Sequence, residues 1–231
     1  MSEPGFVINT LTKRPDPAAL APLRDLATPL LSDSLGRLAG AVEIRPYHRP
    51  GQRMVGPAFT VRTRSGDNLM IHKALDLAAP GDIIVVDGGG DLSHALVGEL
   101  MQTHAIARRL GGLVIDGAIR DVAAIAASEF PCFARGVIHR GPYKDGPGQI
   151  NVPVTIGGMV VNPGDIVVGD EDGVLAFSPA LLGGLIVDAS EKAAQEQDQL
   201  AATLAGTLDR SWIDAALRSK GVTDIGPRRD G

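Results

Sequence analysis

Cysteine, aromatic residues and long apolar runs are all scarce in this chain. A single cysteine, Cys132, excludes an intrachain disulfide and fits a reducing compartment. Aromatics make up only 3% of the residues, so the core has to come from Ala, Val, Leu and Ile, and few rings exist to stack on bases. No Lys/Arg block forms a phosphate-tracking stripe, and the net charge is −5, so direct nucleic-acid binding is not expected. No apolar run is long enough to cross a bilayer. The opening "MSEPGFVINTLTKRP" lacks a basic stretch followed by an apolar one, so no secretory signal is visible and a cytoplasmic protein is expected. Familiar chemical motifs are missing too: no HExxH, no GxSxG and no Walker loop. The five histidines (48, 72, 94, 104 and 139) are scattered, and each reads as surface or core. The five lysines sit in polar or helix-surface contexts, which gives no reason to expect imine chemistry.

Present instead are 29 glycines and 16 prolines, the punctuation of many short elements. The 231 residues read as one domain with a loose arm over 1–16 and a polar tail over 221–231. Helices are predicted over 17–28, over 30–40 with Ser32 as N-cap and Gly40 as stop, and over 67–78 with Asp67 as N-cap. A strand is predicted at 54–63. "PGDIIVVD" (80–87) and its near copy "PGDIVVGD" (163–170) each read as a type II turn feeding a buried strand. A Gly-rich stretch, a helix over 98–111 and the strand 112–116 complete a β-loop-α-β unit, for which a parallel pair is the default. A helix over 121–128, a strand over 131–137, short strands and turns over 150–177, a long helix from Pro179 to about Ala205 and a short one over 211–219 follow. The class is α/β, with a parallel core and an antiparallel layer after it.

In such a unit the helix N-termini lie beside the C-terminal strand ends, where open sheets bind ligands. Glu99, just after Gly98, starts one helix, and Arg120 and Asp121 start the next. The free N–H groups near Leu100 and Met101 suit a substrate carboxylate. Glu and Asp in a first helical turn also complement the helix dipole, by about 0.3–1 kcal/mol each, and Asp121 alone could be a cap. Arg120 is harder to dismiss, because a cation at a helix start is electrostatically misplaced. Both readings stay open at this point. The glycine-rich "VVDGGGDLSHAL" (85–96) lacks the offsets of a dinucleotide fingerprint, which argues against an adenosyl-dependent methyltransferase.

The run "GEL…GGLVIDGAIRD" resembles the RraA-like family, which includes the class II 4-hydroxy-4-methyl-2-oxoglutarate aldolases. That family carries an acidic residue, twenty intervening residues and then Arg-Asp; here Glu99 precedes residues 100–119 and then Arg120-Asp121. The resemblance extends to "SDSLGR" (32–37), "GPAFTV" (56–61), "GDNLMIHKAL" (66–75), "INVPVTIGGMVVNPGDIVVGDEDGV" and the helix after it, roughly residues 25–220. It implies a layered β/β/α fold with a long C-terminal helix, trimers that often pair into hexamers, and an active site at a subunit boundary. It implies a divalent cation, Mg²⁺ or Mn²⁺, bound directly by Asp121, with Arg120 on the oxygens of a small 2-oxo acid. By the same resemblance Glu99 holds metal-bound water and assists proton transfer, and Glu196 of a neighbouring subunit matches the family's late-helix glutamate, with Glu191 and Asp198 close by. Gly98, Leu100 and Met101 would line the substrate site. One departure stands out: the aldolases commonly have Asp where this chain has Glu99. Pyruvate aldolase activity with oxaloacetate decarboxylation is the function implied; the alternative is a non-catalytic regulator that binds a ribonuclease. The loop 88–97 and the segment 139–149 are expected to shape the pocket.

Overall fold

The structure, a computed structural model, describes residues 5–224 and residue 226. In chain order its elements are β1 (Phe6–Ile8), α1 (Pro17–Leu20), α2 (Thr28–Ser34), β2 (Arg45–Pro46), β3 (Met54–Thr63), α3 (Leu69–Leu77), β4 (Ile83–Asp87), β5 (Ala95–Val97), α4 (Glu99–Ala107), β6 (Gly112–Ile119), α5 (Val122–Ala127), β7 (Cys132–Val137), β8 (Gly148–Ile150), β9 (Val154–Ile156), β10 (Met159–Val161), β11 (Ile166–Asp170), β12 (Gly173–Phe177), α6 (Leu182–Leu204) and α7 (Ser211–Ser219). The fold is α/β, with a central sheet and a long C-terminal helix. Its main strand order is β1-β8-β3-β4-β6-β7-β2, parallel from β3 through β7. The first half of β3 leaves that sheet and pairs antiparallel with β11, which pairs in turn with β12.

Apolar residues lie on both faces of the parallel strands, and alternation sends them into two cores. Ile84, Val86, Leu113, Ile115, Cys132 and Ala134 pack towards Ile71, Leu75, Ala105 and Ile125 of the helices. Ile83, Val85, Val114 and Phe133 pack towards Val154, Val161, Val167 and Val174 of the antiparallel layer. Fully burying such a side chain contributes about 1.5–3 kcal/mol, so each face needs its own cover. The order is therefore β/β/α. Charges finish the β/β side at the strand ends. Arg62 stands in register with Asp87, and Asp87 with Asp116, which Arg135 meets at 2.6 Å. Asp87 and Asp116 also accept the Thr155 and Gly157 N–H groups, at 3.3 and 2.7 Å, and so hold the β9–β10 hairpin down.

The two Pro-Gly-Asp segments are one device used twice. Gly81 and Gly164 both have φ +86°, the left-handed value a type II turn demands. Asp82 N–H donates to Ala79 O and Asp165 N–H to Asn162 O, at 3.0 and 3.1 Å. Each aspartate then accepts the N–H of that same residue, at 2.8 and 2.7 Å.

Several expectations need correction. The arm over 1–16 is not loose where it is described: β1 pairs parallel with β8, Leu11 is buried, and Arg14 forks onto buried Asp82 with two 2.7 Å bonds. That fork raises the Arg14 pKa. Residues 1–4, and most of the tail over 221–231, lie outside the described residues or at their edge. The helix over 17–28 is α1 followed by a 3₁₀ turn, Ala21–Asp25, because Pro22 has no N–H to continue an α-helix. Ser32 lies inside α2, whose N-cap is Ala27 and whose first turn holds Pro29. Asp67 precedes the N-cap of α3, which is Asn68. The described chain forms two compact units, one closing at Ala189 and one opening at Ser190; the boundary falls inside α6 rather than in a linker. Within α6 only Leu185 and Ala189 are buried, and α7 buries nothing. Among the described residues no helix is long and apolar enough to cross a membrane.

Cys132 is fully buried, and burial pushes its thiol pKa up to about 12. The thiolate is the nucleophile, and at pH 8 about one thiol in 10⁴ would be ionised in the folded chain. The native protein is expected to resist a water-soluble aromatic disulfide at pH 8 and to react stoichiometrically once unfolded in guanidinium. Rapid labelling of the folded protein would contradict this burial.

Candidate functional site

The site follows from strand register. Val97, the last residue of β5, pairs with Ile119, the last of β6. The residues that follow, Gly98 and Arg120, are therefore neighbours, and Arg120 N–H donates to Val97 O at 3.0 Å. Both strands then turn into helices, α4 and α5, so two helix N-termini stand side by side.

Asp121 occupies the N-cap position of α5 in the left-handed region, with φ +59° and ψ +39°. Its side chain makes no capping bond to its own helix. Instead Oδ2 accepts the Glu99 N–H of the neighbouring helix at 3.0 Å, and lies 3.6 Å from Arg120 Nε. A plain cap would serve α5; this carboxylate caps the neighbouring helix α4 instead, where its charge still complements a helix dipole. Gly98 makes the approach possible. Its backbone is extended, but an added Cβ would collide with Asp121 Oδ2 and lie 3.0 Å from Arg120 Cγ. A Cβ on Gly141 would lie 3.1 Å from Arg120 Nη1, so the arginine runs between two glycines.

Arg120 and Asp121, about two-fifths exposed, line a pocket of about 280 Å³. Ala95, Leu96 and Val97 of β5 form part of its wall, with Gly98, Leu100 and Met101 of the α4 start. The N–H groups of Leu100 and Met101 have no acceptor within their own helix. Gly141, Pro142 and Lys144 also line it, from a loop pinned by Asp67, which accepts the Asp145 and Gly146 N–H groups at 2.7 and 2.8 Å. Asn68 and His72 of the α3 region complete the lining.

Sequence-expected residues thus fall in three places. Gly98, Leu100, Met101, Arg120 and Asp121 line one pocket. Glu99 stands at its rim: its backbone is bonded to Asp121, but its side chain is exposed and is not part of the lining. Glu196 is an exposed residue of the second compact unit. Sequence reasoning missed Asn68 and His72, and took β5 as loop because three residues carry too little period to read. The available signal was the spacing of Asn68 and His72, one helical turn apart and so on one face. Burial, and next the charge of Lys144, hold the His72 imidazole below its ordinary pKa. A wider cavity of about 410 Å³ beside α2 has its Asp33 and Arg37 paired to each other at 2.8 Å, one helical turn apart.

Residues 28–176 match the family model described as RraA-like, Aldolase/RraA. The chain belongs to the RraA-like family. A relative from Halalkalibacterium halodurans, provisionally named 4-hydroxy-4-methyl-2-oxoglutarate aldolase, is 40% identical over 175 residues, covering 75% of this chain and 83% of the relative. Among solved structures, an uncharacterised protein from Pseudomonas syringae pv. tomato superimposes with TM-score 0.75 at 27% identity, covering 85% of this chain and 96% of the other. The RNA-processing inhibitor RraA from Thermus thermophilis gives TM-score 0.60 at 30% identity, covering 65% and 92%.

Replacing Gly98 by Ala is expected to break the Glu99–Asp121 bond without unfolding the chain. A hydrogen bond to a charged group is worth about 1.5–3 kcal/mol, so the Glu99 amide should exchange with solvent roughly 10- to 100-fold faster while amides of β6 stay protected. An unchanged Glu99 amide would contradict the close-approach role of Gly98.

Proposed function

We propose that this protein is a divalent-cation-dependent class II aldolase that cleaves 4-hydroxy-2-oxo acids of the 4-hydroxy-4-methyl-2-oxoglutarate type to pyruvate, with oxaloacetate decarboxylation as a side activity. The observation that carries this reading is the Arg120–Asp121 pair, held on the pocket wall against the start of α4.

The donor set fits a hard cation that keeps most of its water. Asp121 offers one carboxylate, whose Oδ1 accepts no hydrogen bond among the described residues. Those residues contain no group of three His, Cys, Asp or Glu that would enclose an ion. Mg²⁺ is commonly bound through one or two carboxylates and retains several waters, and Mn²⁺ takes similar oxygen ligands. Asp121 would hold the ion directly and Glu99 the water around it. When bound, the cation supplies Lewis-acid neutralisation of oxygen charge.

The chain's own groups do the rest. Arg120 sets a fixed positive charge beside the 2-oxo acid's oxygens, and the Leu100 and Met101 N–H groups receive its carboxylate. As the C3–C4 bond breaks, its electron pair passes to the 2-oxo acid fragment, which becomes the pyruvate enolate. Arg120 stabilises that charge where it develops. The C4 hydroxyl proton leaves through water to Glu99, C4 departs as a carbonyl compound, and protonation at C3 gives pyruvate. With oxaloacetate the same bond breaks with release of carbon dioxide. Glu196 of a neighbouring copy, in a trimer or hexamer, serves as a second acid. The lone buried thiol fits a cytoplasmic enzyme.

Kinship with an RNA-processing inhibitor favours one other reading, a regulator that binds a ribonuclease without catalysis; inhibition of a ribonuclease, with no turnover of 2-oxo acids, would establish it. For the aldolase, Asp121→Ala should lower Mg²⁺- or Mn²⁺-dependent pyruvate release about 1,000-fold, since lost transition-state charge stabilisation of about 4 kcal/mol has that effect. Turnover that persists in excess chelator would overturn the assignment.

A further inference from the structure

Two polar side chains of the pocket have no use in the mechanism above. Asn68 is 3% exposed, at the N-cap of α3. Its Nδ2 donates to Leu96 O at 3.0 Å and lies 3.3 Å from Met101 Sδ, while its Oδ1 is buried with no partner. His72, one turn on, has a buried Nε2 with no partner either. Burying a polar atom without a hydrogen bond costs about 1–3 kcal/mol on protein mutational evidence, and such atoms are rare in native folds. Here two stand on one face of one helix, and both residues line the pocket that holds Arg120 and Asp121.

We infer that Asn68 and His72 form a subsite that binds a hydroxyl group of the ligand. The inference rests on the aldolase reading and adds how the pocket tells a 4-hydroxy acid from its deoxy counterpart.

The chemistry selects the group. The Asn68 amide is oriented by its Nδ2 bond to Leu96 O, which leaves Oδ1, an acceptor only, as the atom without a partner. A carboxylate there would set two acceptors against each other, and a methyl group would leave both atoms unsatisfied. A neutral imidazole offers one donor and one acceptor, and a half-turn of the ring exchanges Nε2 with Cε1 without moving the helix. In the ground-state complex a hydroxyl donates to Asn68 Oδ1 and accepts from His72, and as the C3–C4 bond breaks it turns its proton to the water at Glu99. Met101, which covers the Asn68 amide, is unbranched and shifts readily as a ligand enters. The ligand then spans the pocket, with its 2-oxo acid at Arg120 and its hydroxyl at Asn68 and His72, where the Lys144 charge also acts.

The test uses the full chain with Mn²⁺. It compares kcat/KM for cleavage of 4-hydroxy-4-methyl-2-oxoglutarate with kcat/KM for decarboxylation of oxaloacetate, which has no hydroxyl in its keto form. In His72→Leu the ratio of cleavage to decarboxylation should fall about 30-fold, within the range seen when a hydrogen bond to a substrate group is lost, and His72→Gln should restore most of it. An unchanged ratio, including one in which both activities fall together, would overturn the subsite. If the wild-type protein turns over neither substrate, the aldolase reading fails by itself, and calorimetry decides the subsite. A wild-type preference for 4-hydroxy-2-oxoglutarate over 2-oxoglutarate that His72→Leu erases supports the subsite; equal affinity of the wild type for both overturns it.

Discussion

The Asp121 carboxylate receives the Glu99 N–H at 3.0 Å, and that bond ties together two strand-to-helix junctions 22 residues apart in the chain. Its energetics are instructive. A hydrogen bond to a charged acceptor contributes about 1.5–3 kcal/mol. Holding a non-glycine residue in the left-handed region costs about 1–2 kcal/mol, and Asp121 sits there. A cation beside a helix N-terminus adds roughly another 0.3–1 kcal/mol of cost, and Arg120 is that cation. The Asp121 carboxylate at those same N-termini offsets the Arg120 cost, so the hydrogen bond roughly balances the strain and leaves little net stabilisation. What the arrangement yields is a carboxylate with one oxygen uncommitted, a guanidinium beside it and unpaired backbone N–H groups, all on the wall of one pocket. That is the equipment the proposed aldolase function calls for.

Everything upstream serves that meeting. The in-register pairing of Val97 with Ile119 sets the two junctions side by side. Two cores, one on each face of the parallel strands, hold the strands in that register. Asp67 pins the 141–146 loop through the Asp145 and Gly146 N–H groups and also accepts the Leu69 N–H at 2.9 Å, so this part of the pocket is tied to the start of α3. Gly98 and Gly141 leave room for Arg120 to lie between them.

The long elements were legible because their patterns are long. The β3 run, the Pro-Gly-Asp turns and the helix after Ser178 carry enough period or turn chemistry to be read directly. Short strands were not: β1, β2, β5 and β8 have two or three residues each and exist only through their partners. Of the site, the adjacency of Arg120 and Asp121 and their place after a strand were readable, and family resemblance supplied their chemical roles. The sequence could not show that Asp121 caps a neighbour's helix rather than its own, because that depends on the β5–β6 pairing. Nor could it show that Asn68 and His72 face the same cavity, since α3 lies about thirty residues upstream of Glu99. The second compact unit, with Glu196, follows a different logic: α7 buries none of its residues, and late-helix acids are equivalent in pattern.

The central claim is that Asp121 holds a divalent cation in this pocket. Titrating the chain with Mn²⁺ and following free ion by electron paramagnetic resonance tests it without requiring turnover. The account predicts a saturable site in the wild type whose affinity falls about 100-fold in Asp121→Asn, since that change removes the one charged ligand while keeping the side chain's shape. Equal Mn²⁺ affinity in a folded Asp121→Asn protein would contradict it.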